Sequence, residues 1–338
     1  MAFDKQFRTP AVLTGVARGA FQGVYGASLV SAYLPPVANQ KLTYNFTKNQ
    51  TSLTSAAKFR SWNTESDQTV FEGSKAAQGS LPPISRRYNV DEYTHVKLIG
   101  GDLGAEFEKK AEAIAAQIAM RFVEAAAEGI ETGKVHLEER GLDFEIDYGR
   151  KAALTATAPT VWSDPTADII GDLEALRAAY GSRPGVILIP DTVQRHLSRN
   201  TGIIEFALGR ASDLPNQIPY ERALGVLAEF GFTGLRTNEE RLIDHFGVER
   251  TLFSQDRVLF LPGQADALAT ALGSGPLGTL DLGITSEALE SENGLGGSAG
   301  LISGAYKTED PNGFDVLVGG IGLPVITSAD RTASLKVL

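Results

Sequence analysis

The first ninety residues carry a pattern that a self-contained globule cannot accommodate. From Lys41 to Phe46 the chain alternates, with Leu42, Tyr44 and Phe46 on one face, as a half-buried strand would. A second extended run covers Arg86 to Tyr93, just after Leu81-Pro82-Pro83-Ile84. About forty residues lie between the two, rich in Thr, Ser, Asn and Lys, and a structureless stretch of that length does not belong inside a compact domain. Its isolated aromatics, Phe59, Trp62 and Phe71, are out of place in a disordered linker, which is poor in such residues. Large rings on a polar arm need a partner surface. The sequence therefore predicts an N-terminal arm over residues 1–40, broken by Leu34-Pro35-Pro36, and an extended loop over residues 41–90.

Charge separates the same segment from the rest. The 338-residue chain has a formal net charge of −10 at pH 7. Residues 1–90 carry ten basic groups against four acids, a net of +6, so the remainder carries −16. Three readings stay open: a nucleic-acid arm, a loop that happens to be basic, or the basic part of one copy lying on the acidic part of the next. There is no cysteine, which removes disulfides and thiolate metal sites and leaves packing and subunit contacts as sources of stability. Met1 to Ala20 mixes Asp4, Lys5, Arg8 and Arg18 with apolar residues and lacks a signal-peptide core. No run reaches the ~18 uncharged apolar residues of a membrane helix. A soluble protein made in a cytoplasm is expected.

The clearest element runs from Leu103 to about Gly129. Phe107, Ala111, Ile114, Ile118, Phe122 and Ala125 recur at three- and four-residue steps, with Glu106, Lys109, Lys110, Glu112 and Arg121 around them. This is a long amphipathic helix, with Asp102 as its N-cap and Gly129 or Gly133 as its end. Leu142, Phe144, Ile146 and Tyr148 then alternate as a strand. Between about Thr160 and Gly273 the pattern turns to alternating helices and short apolar strands, an α/β subdomain with a central sheet. Asp164-Pro165 opens a helix to Tyr180, and Val186 to Ile189 reads as a strand stopped by Pro190. Tyr220 to Phe230 is another helix, and Phe232 to Leu235, Thr251 to Phe253 and Arg257 to Leu261 are strand candidates. The glycine-crowded run from Gly273 to Gly304 reads as loop. Phe314 to Val318 and Leu323 to Ile326 close the chain as apolar strands.

The order of these parts resembles the Hong Kong 97 fold of tailed-bacteriophage capsid proteins. Local stretches are similar to the lambda-type major head protein family: Leu34-Pro35-Pro36-Val37-Ala38, Leu81-Pro82-Pro83-Ile84-Ser85-Arg86, Val161-Trp162-Ser163-Asp164-Pro165, Val186-Ile187-Leu188-Ile189-Pro190 and Arg257-Val258-Leu259-Phe260-Leu261-Pro262. Their ordered set, over nearly the whole chain, carries the resemblance; no one of them is diagnostic. It implies an α+β fold with a peripheral domain over 91–154 (spine helix about 103–129), an axial domain over 155–275, and a return to the peripheral domain over 276–338 with C-terminal strands. It also implies a major capsid protein that joins copies of itself into pentamers and hexamers of an icosahedral shell around phage double-stranded DNA. Phe59, Arg60, Trp62, Phe71, Arg86 and Arg87 would then be contacts between subunits. A charged helical segment before the arm is absent, which implies a separate scaffolding protein beside the portal and any decoration protein. The shell would sit in the virion after assembly in the host cytoplasm. An encapsulin-like nanocompartment shell, or an α/β enzyme or ligand-binding protein with a long lid, are the alternatives.

Signatures of chemistry fail on their own terms. Gly296-Gly297-Ser298-Ala299-Gly300 matches a nucleophile elbow, but that turn follows a strand and needs a later histidine, and the last one, His245, lies upstream. Gly294 to Ala299 fits the loose dinucleotide fingerprint without a βαβ unit around it. There is no P-loop sequence, and His95, His136, His196 and His245 form no i, i+4 pair. Neither catalytic residues, cofactor nor metal is expected. Packaged DNA would be touched without a specific site, since an acidic container does not hold phosphate tightly.

Overall fold

The computed structural model describes residues 3–40, 42–47, 76–98, 102–209, 214–263, 275–309 and 312–338. Its spine is helix α3, Leu103–Thr132, after α1, Pro10–Ala27, and α2, Glu92–Lys97. The Asp102 carboxylate accepts the Ala105 N–H at the N-cap, and Gly133 ends the helix at φ 77°. Gly129 is not a stop. It is buried where a Cβ would lie 2.8 Å from Ile326 Cδ1, so it serves close packing in mid-helix.

The N-terminus differs from the expected arm. Pro10, at N1, starts an eighteen-residue helix, and Leu13, Ala17, Phe21 and Tyr25 form a buried stripe four residues apart. That stripe lies on α3, with Phe21 edge-on to Phe122 at 6.0 Å. Gly15, Gly19, Gly23 and Gly26 all face open space, and these glycines disguised the helix in the sequence. Arg8 is fixed to the start of α3 through Glu108 (2.6 Å) and Asp102 (2.8 Å). Part of the basic excess of the first ninety residues is thus matched within the chain.

Strands β1, Pro36–Ala38; β2, Thr43–Thr47; β3, Ala76–Ser80; and β4, Pro83–Val90, follow α1. The run read as extended to Tyr93 stops at Val90, because Asp91 caps α2 by accepting the Thr94 N–H. After α3 come the hairpin β5, Lys134–Glu139, with β6, Leu142–Asp147, and then β7, Thr155–Thr157. The α/β segment holds α4, Ile169–Tyr180; β8, Val186–Pro190; α5, Asp191–Leu197; α6, Thr201–Leu208; α7, Tyr220–Glu229; β9, Leu235–Asn238; β10, Arg241–Ile243; β11, Glu249–Thr251; and β12, Arg257–Leu261. Helix α4 begins later than Asp164-Pro165 predicts: Asp164 builds a turn with Thr166, and Asp168 is the cap that accepts the Gly171 N–H. The glycine-rich run is not all loop. It contains β13, Gly278–Leu282, and the short α8, Ser286–Leu289, before β14, Ile302–Glu309. The two closing strands are one, β15, Asn312–Ile326, followed by β16, Ala333–Lys336.

Two sheets organise these parts. In the first, β15 pairs with β14 and β4 along its first half and with β13 along its second, and β13 carries β1 in parallel. Helices α1 and α3 cover it and share its core. The second sheet runs β7-β16-β12-β8-β9. Its strand β8 is buried on both faces: Val186 and Leu188 join the first core, while Ile187 and Ile189 join a second core built with α4 to α7. The last strand therefore departs from the expected return to the peripheral part. Ala333–Lys336 sits in the interior of the second sheet, parallel to β7 and antiparallel to β12. Leu335 is buried there, and leaving that slot empty would strand two ladders of backbone groups. Among the described residues no helix is long and apolar enough to cross a membrane.

Candidate assembly surfaces

The two strands on either side of residues 48–75, β2 and β3, have a fixed root. Tyr44 and Phe46 of β2 are buried, with Phe46 5.8 Å from Tyr148 and Tyr44 6.4 Å edge-on to Phe144 of β6. The Tyr148 hydroxyl donates to the Pro324 carbonyl, and burial holds its pKa far above that of a free phenol. Leu81 N–H donates to Leu42 O at 2.9 Å and closes the base of the hairpin. Of the residues expected to meet a neighbour, Phe59, Arg60, Trp62 and Phe71 lie outside the described residues. Arg86 and Arg87 are described, and both are exposed on β4. Arg87 Nη1 reaches Asp315 Oδ2 at 3.3 Å, across the ladder from β4 to β15. Tyr88, beside them, has the Lys110 ammonium 4.3 Å above its ring.

A second surface lies on the hairpin β10–β11. Ile243, Phe246 and Val248 stand out into solvent, Phe246 at 79% exposure. The hairpin is tied to the spine by a carboxylate that is only 5% exposed, that of Glu124. Arg250 Nη2 lies 2.6 Å from it, His245 Nδ1 3.0 Å and Arg121 Nη1 3.3 Å, so the buried charge is fully matched. One helical heptad further on, Glu131 accepts the Ser254 N–H at 3.1 Å and faces Arg257 at 3.6 Å. A cleft of about 390 Å³ opens between these elements, with His136, His245 and Glu128 among its lining residues. Burial raises the pKa of Glu128. The structure thus brings together two histidines that are distant in sequence, but among the described residues no group of three side chains is placed to hold a metal ion.

Sequence reasoning missed these struts. Their only sequence signal is the seven-residue spacing of Glu124 and Glu131, which puts both on one side of α3. It also missed Arg150. That guanidinium donates to the Ile130 and Glu131 carbonyls at the end of α3 (3.1 and 2.7 Å), to Thr155 of the second sheet (2.8 Å) and to Thr332 just before β16 (3.3 Å). Burial, with Arg257 nearby, lowers its pKa to about 10. Ser298, the centre of the elbow-like motif, accepts a hydrogen bond from Arg18 at 3.0 Å, and Arg18 also donates to the Ala299 and Leu301 carbonyls. The serine is part of a strapped loop.

An N-terminal helix on a long spine, a rooted hairpin loop, and a second sheet with its own helical core define the class: this is the α+β capsid fold of the Hong Kong 97 type. Comparison with solved structures agrees over the full length. A crystal structure of a protein assigned as the capsid protein of a prophage of E. coli CFT073 superposes with a TM-score of 0.62 at 15% identity, covering 100% of both chains. A phage-related protein from Bordetella bronchiseptica RB50 gives a TM-score of 0.53 at 12% identity, covering 99% of this chain and 97% of that one. No model of a protein family matches the chain, and no curated protein matches it.

Proposed function

We propose that this chain is the major capsid protein of a tailed phage and that it builds the icosahedral shell by joining copies of itself into pentamers and hexamers. The supporting observation is the full-length likeness in fold to the prophage capsid protein, both chains covered completely. In this reading the parts around α3 and the first sheet are the peripheral domain. The second sheet with α4 to α7 is the axial domain, and Phe206 and Leu208, exposed at the end of α6, approach the axes of the capsomers. The loop rooted on β2 and β3 overlaps the next subunit, with Phe59, Arg60, Trp62 and Phe71 on it and Arg86 and Arg87 at its return. No step of chemistry is assigned to the chain; its work is repeated contact, which symmetry closes into a shell. A scaffolding protein, a portal and packaged DNA are its partners, and the virion is its location. Electron microscopy of the expressed protein tests this. Shells, tubes or capsomer rings are the expected result; strictly monomeric particles at every concentration, with and without phage scaffold, would sink it.

A further inference from the structure

Strand β4 has an open side. Among the described residues it pairs with β15 alone, and no strand lies along its outer edge. Ser85 to Asn89 are five consecutive exposed residues, so both faces of the strand meet solvent. An edge of this kind invites another strand, and proteins usually blunt it with Lys, Pro, a bulge or great shortness. β4 has Pro83 at its first position, but its centre is Arg86-Arg87-Tyr88, residue types in which interfaces concentrate their binding energy. Arg86 makes no ion pair among the described residues, and the Arg87 side chain is 74% exposed beside an Asp315 that Asn89 already holds at 2.7 Å.

Charge decides what fits. Pairing of β4 with β4 of another copy about a two-fold axis sets arginine against arginine, which is unfavourable for residues directly opposite. A head-to-tail contact is needed, and the incoming edge must be acidic. Several described strands with an open edge do not qualify: β1, β2, β3 and β7 carry no charge, and β9, β10 and β11 each carry an arginine. The open edge of β14 is already occupied by Asp4, whose N–H donates to Ala305 O at 2.7 Å. β6 does qualify. It pairs with β5 alone, and Asp143, Glu145 and Asp147 stand exposed at alternate positions on one face. The hairpin holds five acids (with Glu138 and Glu139) against Lys134, Arg140 and His136; Lys134 serves both Glu145 (3.0 Å) and Asp147 (3.5 Å), His136 meets Asp143, and Arg121 of α3 takes Glu139, so acids still outnumber bases along β6.

We infer that β4 of one subunit takes the acidic β5–β6 hairpin of a second copy along its open edge, β6 foremost, in a head-to-tail contact. This inference rests on the shell reading and specifies one of its contacts. It is tested on the full chain by sedimentation velocity over a concentration series, in about 0.1 M salt where charge contacts still act. R86E/R87E raises the concentration for half-assembly at least about tenfold, and D143K/E145K does the same. The two sets together bring it back to within about threefold of the unmodified chain, because reversed charges again face each other. Circular dichroism confirms that each variant is folded. The inference is overturned if either set alone assembles as the unmodified chain does, or if the combination is no better than its parts. An unmodified chain that forms particles beside indifferent variants removes this contact only, whereas an unmodified chain that never associates removes the shell reading with it.

Discussion

Replacing Arg150 by alanine should loosen the junction between the two halves of the subunit. The guanidinium satisfies two carbonyls at the end of α3 that the helix itself leaves without donors, and it ties them to Thr155 at the edge of the second sheet and Thr332 beside it. Each carbonyl stripped of its donor costs about 1–3 kcal/mol, and the threonine hydroxyls lose a charged donor worth a similar amount. Against this, alanine relieves the desolvation of a buried cation, roughly 3 kcal/mol when a pKa falls this far. The balance is a loss of about 3 kcal/mol. Urea unfolding followed by tryptophan emission suits the measurement, since Trp162 is buried in the second core. R150K keeps the charge but not the planar fork, and should recover less than half of the loss. If R150A lost under about 1 kcal/mol, the junction would be held by apolar packing alone. A lysine variant as stable as the arginine would show that charge, and not the two-carbonyl geometry, matters.

Two further outcomes follow from single positions. Gly278 sits at φ 156°, where a Cβ would come within 2.0 Å of the Val325 carbonyl oxygen, so G278A should cost at least about 2 kcal/mol by prying β13 from β15, seen as a lower urea midpoint. His136 Nε2–H donates to the Asp143 carboxylate at 3.2 Å, and that bond raises the imidazole pKa above its usual value. A raised pKa means that the stabilisation is fully present below pH 6.5 and fades as pH climbs through the folded value. Proton NMR titration should show His136 titrating above 6.5 in the native chain and falling back in D143N; an unchanged midpoint in the variant would refute the pairing.

How much of this was legible in the sequence depended on whether a pattern was local. The spine helix was readable because its apolar stripe, its Asp102 cap and its charged flanks all repeat within a few residues. Helix α1 has an equally regular stripe at Leu13, Ala17, Phe21 and Tyr25, but the glycines between them weigh against a helix until α3 is there to receive it. The strand hidden in the glycine-rich run, β13, exists because β15 and β1 flank it, which no local signal encodes. Of the contact residues, Arg86 and Arg87 could be placed, and their exposed edge strand was visible only once β15 was known to take the other side. Nothing local marks the carboxylates of Glu124 and Glu131 as buried, since Arg250 and Arg257 arrive from more than a hundred residues away.

The place of β16 bears on how the chain folds. Residues 333–336 fill an interior slot between β7, at 155–157, and β12, at 257–261, so the second sheet closes only after synthesis has passed residue 336. Pairing across such separations is slow, and a chain halted before residue 333 presents β7 and β12 with a gap between them. Such a fragment leaves the facing backbone groups of both strands without a ladder. The topology therefore makes residues 333–336 the keystone of the second sheet: a chain without them cannot close it, however well its earlier elements have folded.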